Sequence, residues 1–158
     1  MDTGIREDRM VIVREIVSRL LEQAPDVSLR ASGYIHMFGV AQNCVLLAMK
    51  RGEDAELAAI AGYLHDIASY TEGYSPDHAR RGAKISRKIL EETGLFTPKE
   101  IEQVCTAILF HSEKKAVHKP LDEILKDADV MQHCLFDPGH ISKKEEIRYR
   151  NLCKEFRE

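Results

Sequence analysis

The sequence predicts an all-α protein, a compact bundle of six or seven helices in one domain that spans residues 1–158. Apolar residues recur every three or four positions along most of the chain, which places them on one face of a helix. No stretch alternates apolar and polar residues with a period of two, so we expect no β-sheet. Short breaks that contain Gly or Pro separate the segments and fold successive helices back on one another.

The first half of the chain predicts three helices. Apolar positions within residues 10–21 form an amphipathic first helix, which is closed by Ala24-Pro25. The second helix covers about residues 31–49 and stops before Gly52. The third begins near Asp54 and is apolar nearly all round, which is typical of a helix at the centre of a protein.

In the second half of the chain, start and stop signals predict the remaining helices. Ser75-Pro76 supplies a hydroxyl cap and a proline for the fourth helix. Residues 97–100, with the sequence Thr-Pro-Lys-Glu, form a capping box for the fifth. Apolar positions within residues 121–135 mark the sixth, which residues 137–139 break. Ser142 then caps a charged terminal helix.

Composition argues against two classes of partner. The formal net charge of −3 provides no basic surface for a nucleic-acid polymer. No apolar run approaches the roughly 20 residues that cross a bilayer, and the first residues do not resemble a signal peptide, so we expect no membrane association. The four cysteines lack CxxC spacing, which is typical of reduced thiols and predicts a cytoplasmic protein.

Ionisable residues fall on the most apolar segments. His36 lies one turn before Val40 on the apolar face of the second helix, and His65-Asp66 ends the third. Burying such groups without partners costs several kcal/mol each, and a metal ion removes that cost by making them ligands. Imidazole and carboxylate suit Zn, Mn, Fe and Ni. These residues therefore predict a buried metal centre.

Further candidate ligands lie on the later helices. His78 falls in the first turn of the fourth helix, and His111 ends the fifth. Asp127 and Asp129 both lie on the sixth helix, on opposite flanks of its apolar stripe, and spacing alone does not choose between them. The remaining histidines are expected to be surface residues: His118, His133 and His140.

This order of residues resembles the HD-domain metal-dependent phosphohydrolase superfamily, whose signature is a His, then His-Asp, then a distant Asp, all on helices. The matching positions are His36, His65-Asp66 and Asp129, and the match covers about residues 30–135. The aspartate of the family usually follows an alanine, which favours Asp129 over Asp127. The resemblance implies a helical HD-domain bundle and hydrolysis of a phosphate ester or anhydride, with a nucleotide as the expected small-molecule substrate.

The resemblance also implies one or two divalent metal ions and a set of site residues. His78 and His111 resemble the further ligands of the binuclear branch. The implied metal ligands are His36, His65, Asp66, His78, His111 and Asp129. Asp66 would bridge the two ions, and Asp66 and His65 are the implied catalytic residues. The cations that we expect to contact substrate phosphate are Arg80, Arg81, Lys114 and Lys115.

Departures from known branches narrow the substrate. The Glu-Asp pair that follows His-Asp in guanosine tetraphosphate hydrolases is replaced here by residues 67–69, Ile-Ala-Ser, and the double histidine and GYP motif of cyclic-di-GMP phosphodiesterases is absent. The chain looks more like the small stand-alone bacterial members, which include nucleotide phosphatases and dinucleoside tetraphosphate hydrolases. Two alternatives stay open: a mixed-valent di-iron oxygenase of the same superfamily, which has a similar ligand set, and a non-catalytic nucleotide-binding sensor.

Overall fold

The computed structural model describes residues 7–157, and within that range it contains helices and no β-strand. The prediction of an all-α fold is confirmed. The elements are α1 (Glu7–Glu22), α2 (Val27–Gly33), a π-helical segment (Tyr34–Phe38), α3 (Gly39–Arg51), α4 (Ala55–Leu64), α5 (Ile67–Glu72), α6 (His78–Thr93), α7 (Pro98–Phe110), α8 (Pro120–Phe136) and α9 (Glu146–Glu155). Because α2 continues through the π-helical segment into α3, and α5 follows α4 after two residues, these elements make seven helical units.

Side chains at the helix starts explain where several helices begin. Thr97 and Glu100 form the predicted capping box at the start of α7. Asp54 accepts the backbone N–H of Leu57 at the start of α4. Asp26 accepts the backbone N–H of Ser28 at 2.7 Å, so the second helix starts about four residues earlier than its apolar pattern predicted.

The helix α4 lies at the centre of the bundle, as its apolar sequence predicted. Every residue from position 56 to 64 is buried, and α4 packs against α1, α3, α7 and α8. Gly62 allows a close approach to α3, because a Cβ atom at this position would lie 2.6 Å from the Cα atom of Ala41. This contact fixes α3 against the end of α4, where His65-Asp66 follows.

The connection between the third and fourth predicted helices differs from the prediction in two respects. The chain between these two predicted helices contains the short helix α5, which extends to Glu72 and was not predicted. Gly73 then takes a positive φ of 87°, a conformation that glycine adopts at little cost. Ser75 forms a turn in which its carbonyl accepts the backbone N–H of His78, so α6 begins at His78 itself. None of the helices within residues 7–157 has both the length and the apolar character of a membrane span.

Candidate metal centre

Six side chains meet around the C-terminal end of α4. Each was predicted from the sequence as a metal ligand. They are His36 in the π-helical segment, His65 and Asp66 between α4 and α5, His78 at the start of α6, His111 directly after α7, and Asp129 within α8. Four of the six lie at or beside helix ends, and His36 and Asp129 lie within helical segments that pack against α4.

The π-helical segment shapes the backbone around His36. Such segments are rare and are frequent at functional sites. Here Gln132 of α8 donates its side-chain amide to the carbonyl of Ile35 at 3.2 Å. A Cβ atom on Gly39 would lie 2.3 Å from the Gln132 Oε1 atom, so the glycine leaves room for that side chain. The apolar pattern of the sequence did not indicate this irregular turn.

The first cluster consists of His36, His65, Asp129 and one oxygen of Asp66. The Nε2 atom of His36 lies 3.0 Å from His65 Nε2, 3.3 Å from Asp66 Oδ2 and 3.4 Å from Asp129 Oδ1. The Nε2 atom of His65 lies 3.5 Å and 3.7 Å from the same two oxygens. Metal–ligand bonds of about 2.1 Å place neighbouring ligand atoms roughly 3.0–3.4 Å apart. The cluster therefore has the spacing of one coordination sphere.

The second cluster uses the other oxygen of Asp66. Its Oδ1 atom lies 3.6 Å from His78 Nε2 and 3.4 Å from His111 Nε2, and the two imidazole nitrogens are 3.3 Å apart. The hydroxyl of Ser112 lies 3.1 Å from His78 Nε2 and was not predicted as part of the site. One carboxylate thus offers one oxygen to each cluster, which is the arrangement of a bridging ligand.

Backbone carbonyls orient three of the histidines. The Nδ1 atoms of His65, His78 and His111 lie 2.8, 2.9 and 2.6 Å from the carbonyl oxygens three residues earlier. Because a carbonyl only accepts, each Nδ1 carries the proton and each Nε2 presents a lone pair to the clusters. Metal-binding histidines in proteins use the same arrangement.

Electrostatics at the site favour ionised carboxylates and act in opposite directions on the two imidazoles of the first cluster. Burial lowers the pKa of His65 to about 4, so this residue is neutral near pH 7. Burial alone would raise the pKa values of Asp66 and Asp129, but neighbouring imidazoles, and Lys114 in the case of Asp129, outweigh it and hold both well below the ordinary range. Burial would also lower the pKa of His36, yet the two carboxylates outweigh it and raise that pKa.

Two carboxylate oxygens provide a test of whether a cation fits. Within the described part of the chain, Asp66 Oδ1 and Asp129 Oδ1 are buried and have no hydrogen-bond partner. Each faces at least one imidazole whose Nε2 carries a lone pair: Asp66 Oδ1 faces His78 and His111, and Asp129 Oδ1 faces His65. A buried carboxylate oxygen without a donor is costly, and a divalent cation shared with the imidazoles would satisfy it. The donor set therefore fits a metal such as Zn, Mn, Fe, Co or Ni.

The structure separates the two candidate aspartates of α8. Asp129 lies in the first cluster, whereas the oxygens of Asp127 accept from Arg51 and Arg148 at 2.8 Å each. Asp127 is therefore engaged in a separate ion-pair network. The position of Asp129 agrees with the family pattern of an aspartate that follows an alanine.

The four cations predicted to contact phosphate occupy different places. Lys114 forms an ion pair with Asp129 Oδ2, and the two side chains are only 9% and 7% exposed. Lys115 is exposed on the same loop. Arg80 pairs with Asp77 at 2.6 Å, and Arg81 pairs with Glu72 at 2.5 Å. Among these four, Lys114 is the one that the structure brings to the clusters.

Sequence reasoning missed the place of His133. Its side chain is half exposed, which agrees with the expected surface position, but it stacks on His36 with ring centres 4.8 Å apart. Its Nε2 atom lies 3.7 Å from Asp129 Oδ1, and its Nδ1 atom lies 2.7 Å from a Glu145 oxygen. His133 follows Asp129 by four residues, and that spacing places both on one helix face. This spacing is the sequence feature from which the position of His133 beside the site could have been predicted.

Sequence reasoning also missed the anchoring of the loop that carries Lys114. The Lys126 side chain is completely buried, and its Nζ donates to the Ala116 carbonyl at 2.9 Å and to Glu123 at 2.9 Å. Arg148 of α9 donates to the carbonyls of Lys114 and Ala116 at 2.6 and 3.1 Å. Two helices thus hold the loop against the first cluster.

Comparisons with known proteins agree with this geometry. Residues 33–133 match the family model described as "HD domain". A Bacillus subtilis (strain 168) protein named "Putative phosphohydrolase YueE" is 32% identical, over 70% of this chain and 70% of that protein. The crystal structure of a predicted HD superfamily hydrolase from an uncultured Thermotogales bacterium superposes with a TM-score of 0.62 at 26% identity, covering 92% of this chain and 87% of that one.

Proposed function

The chain belongs to the HD domain family, and from that premise we propose that it is a metal-dependent phosphohydrolase acting on a phosphate ester or anhydride bond of a small nucleotide substrate. The observation that carries the proposal is Asp66, whose two oxygens face two separate clusters of imidazole nitrogens. This is the donor arrangement of a binuclear site. The B. subtilis relative, whose printed name is that of a phosphohydrolase, supports the same reaction class.

The ligands fall into two groups. His36, His65, Asp129 and Asp66 Oδ2 would hold one ion, and His78, His111 and Asp66 Oδ1 the other. Divalent ions bound there lower the pKa of a coordinated water and offset charge on a phosphoryl oxygen. In the reaction, the oxygen of water forms a bond to phosphorus, the ester or anhydride P–O bond breaks, and the leaving oxygen takes up a proton.

The protein's own residues prepare the site for this chemistry. The carbonyl of Gly62 holds the Nδ1–H of His65, which keeps its Nε2 lone pair directed at the first cluster. Asp66 stays ionised because the imidazoles around it hold its pKa low, so both of its oxygens accept. Lys114 adds a positive charge beside Asp129, where an anionic phosphoryl group would approach.

The test combines metal analysis with a phosphate-release screen. Protein purified without chelator should contain one or two divalent ions per chain, and it should release phosphate from nucleotides with added Mn or Co. Asp66→Ala should lose both properties. Asp137→Ala, which changes an exposed aspartate on the loop after α8, should lose neither.

Two other outcomes would identify the alternatives. Turnover that requires oxygen and ferrous iron, without phosphate release from any nucleotide, would select the oxygenase. Nucleotide binding that is not followed by turnover under any metal would select the sensor. Either result contradicts the proposed hydrolase.

A further inference from the structure

A cavity of about 520 Å³ opens beside the first cluster, where His36 and Asp66 form part of its lining. This volume falls within the roughly 300–1,000 Å³ that is typical of small-molecule sites. Because the cavity reaches two of the proposed metal ligands, a molecule that presents its phosphoryl group to the clusters would place its remaining atoms here. The residues that line the cavity therefore indicate the chemistry of the part of the ligand that lies outside the phosphoryl group.

Aromatic and apolar side chains form much of the wall. Phe136 is 68% exposed and contributes its ring at one side, and Ile35 is 48% exposed. Tyr70 and the imidazole of His133 add two more flat surfaces. Rings of this kind stack well on planar ligands. The wall thus suits a ligand that is flat and partly apolar.

Hydroxyl groups supply the polar contacts. Ser28 and Ser32 belong to the lining and precede His36 at four-residue steps. Such spacing places them on one side of the continuous helix, in a row that leads to the first cluster. Neutral hydroxyls both donate and accept, so they match sugar hydroxyls or ring nitrogens without requiring charge.

Charge separates the candidate substrates. No lysine or arginine belongs to the described lining of this cavity, and its acidic member is Asp66. Each additional phosphate of a polyphosphate would need cationic partners when it leaves water. Lys114 lies at Asp129 and is not part of the lining, so its charge serves the clusters.

We propose that this cavity binds the uncharged, partly aromatic body of a phosphate monoester, a nucleoside or a group of similar shape, while the single phosphoryl group lies at the His36–Asp66 end. The inference rests on the proposed function and narrows it. It selects a monoester over a polyphosphate, and it assigns Phe136 as a residue that determines specificity.

The kinetic test compares a phosphate monoester that carries a nucleoside with one that carries only a methyl group. Phe136→Ala should raise KM for a nucleoside 5′-monophosphate about tenfold, the scale of a lost stacking contact. It should leave the kinetic constants for methyl phosphate unchanged, because that ester does not reach the ring. Leu135→Ala is the matched control, since the neighbouring Leu135 is 58% exposed and is not part of the lining.

Two kinetic results would overturn the inference. One is an equal effect of Phe136→Ala on the nucleoside monophosphate and on methyl phosphate. The other is a wild-type protein that prefers inorganic triphosphate or a nucleoside triphosphate to the monophosphate.

A binding measurement separates this inference from the proposed function. Calorimetry with an unphosphorylated purine nucleoside needs no catalysis. Wild type and Leu135→Ala should bind it, and Phe136→Ala should bind it about tenfold more weakly. Failure of the nucleoside to bind, in a protein that hydrolyses the monophosphate, overturns the cavity assignment and leaves the hydrolase intact. Nucleoside binding with no phosphate release from any ester supports the cavity and contradicts the hydrolase.

Discussion

Replacing Lys114 with methionine tests how the negative charge of Asp129 is neutralised in the metal-free protein. Lys114 and Asp129 form an ion pair that is nearly inaccessible to solvent. Lys114→Met keeps most of the length of the side chain and removes its charge, so Asp129 is left buried beside imidazoles alone. The variant should therefore destabilise the metal-free protein.

The size of the effect follows from burial. Removing one partner of a buried ion pair costs about 3–5 kcal/mol. His36 lies 3.4 Å from Asp129 Oδ1 and its pKa is raised, so a proton on this imidazole compensates part of the loss. The expected cost is therefore near the lower limit, about 3 kcal/mol. For a chain of this length that corresponds to a fall in Tm of about 6–12 °C.

A bound cation should reverse most of this loss. At Asp129 Oδ1 it would neutralise the carboxylate that Lys114 no longer balances, and it would no longer be repelled by the lysine. Lys114→Met should thus bind metal more tightly than wild type, and added metal should raise its Tm by more. Thermal unfolding with chelator and with saturating Mn measures both quantities.

Lys115→Met provides the matched control, because Lys115 is the next residue and is exposed. Its Tm should stay within about 2 °C of wild type in both conditions, since surface substitutions usually change stability by less than 0.5 kcal/mol. The reasoning is refuted if Lys114→Met loses the same stability with and without metal, or if it binds metal more weakly than wild type.

Four further predictions address the site and its supports. Asp66→Ala should remove both metal ions, whereas His111→Ala should leave one bound; mass spectrometry under native conditions would count them, and equal loss of both ions in His111→Ala would contradict two separable halves. Metal binding should release a proton from His36, because its raised pKa keeps it partly protonated near neutral pH, while His65 is already neutral. Calorimetry in buffers of different ionisation enthalpy should show that this release falls as pH rises, and a release that does not change with pH would count against it. Lys126→Met should lower the free energy of unfolding, measured by urea denaturation, by about 1–3 kcal/mol without changing metal stoichiometry. The reason is that the Ala116 carbonyl, His118 Nδ1 and Glu123 Oε1 lose their buried partner. The double variant Lys114→Ala/Lys115→Ala should raise KM for a phosphorylated substrate with metal content intact; an unchanged KM would argue against a phosphate contact.

The sequence predicted features that depend on local signals. The capping box at Thr97 begins α7 where its residues indicated, and the apolar run of α4 places His65 at the centre of the bundle. Both follow from spacing within one helix. The identity of the aspartate in α8 required the family pattern, because Asp127 and Asp129 flank the apolar stripe equally.

Features that depend on contacts between distant segments were not predictable in this way. The π-helical turn around His36 lies beside Gln132, almost a hundred residues away in sequence. Lysine is rarely buried, so nothing local marks Lys126 as fully enclosed. Two of its partners, Ala116 and His118, come from a loop whose path only the tertiary structure defines. Local patterns therefore predict the helices, whereas the residues that hold the site in place depend on tertiary packing.

The two oxygens of Asp129 explain why those supports matter to the chemistry. Oδ1 faces His36 and His65, and Oδ2 is held by Lys114. Lys114 in turn owes its position to a loop that Arg148 of α9 holds through two backbone carbonyls. Arg148 lies outside residues 33–133, the part that matches the HD domain. The charge beside the first cluster thus depends in part on a helix of this chain that lies beyond the matched region.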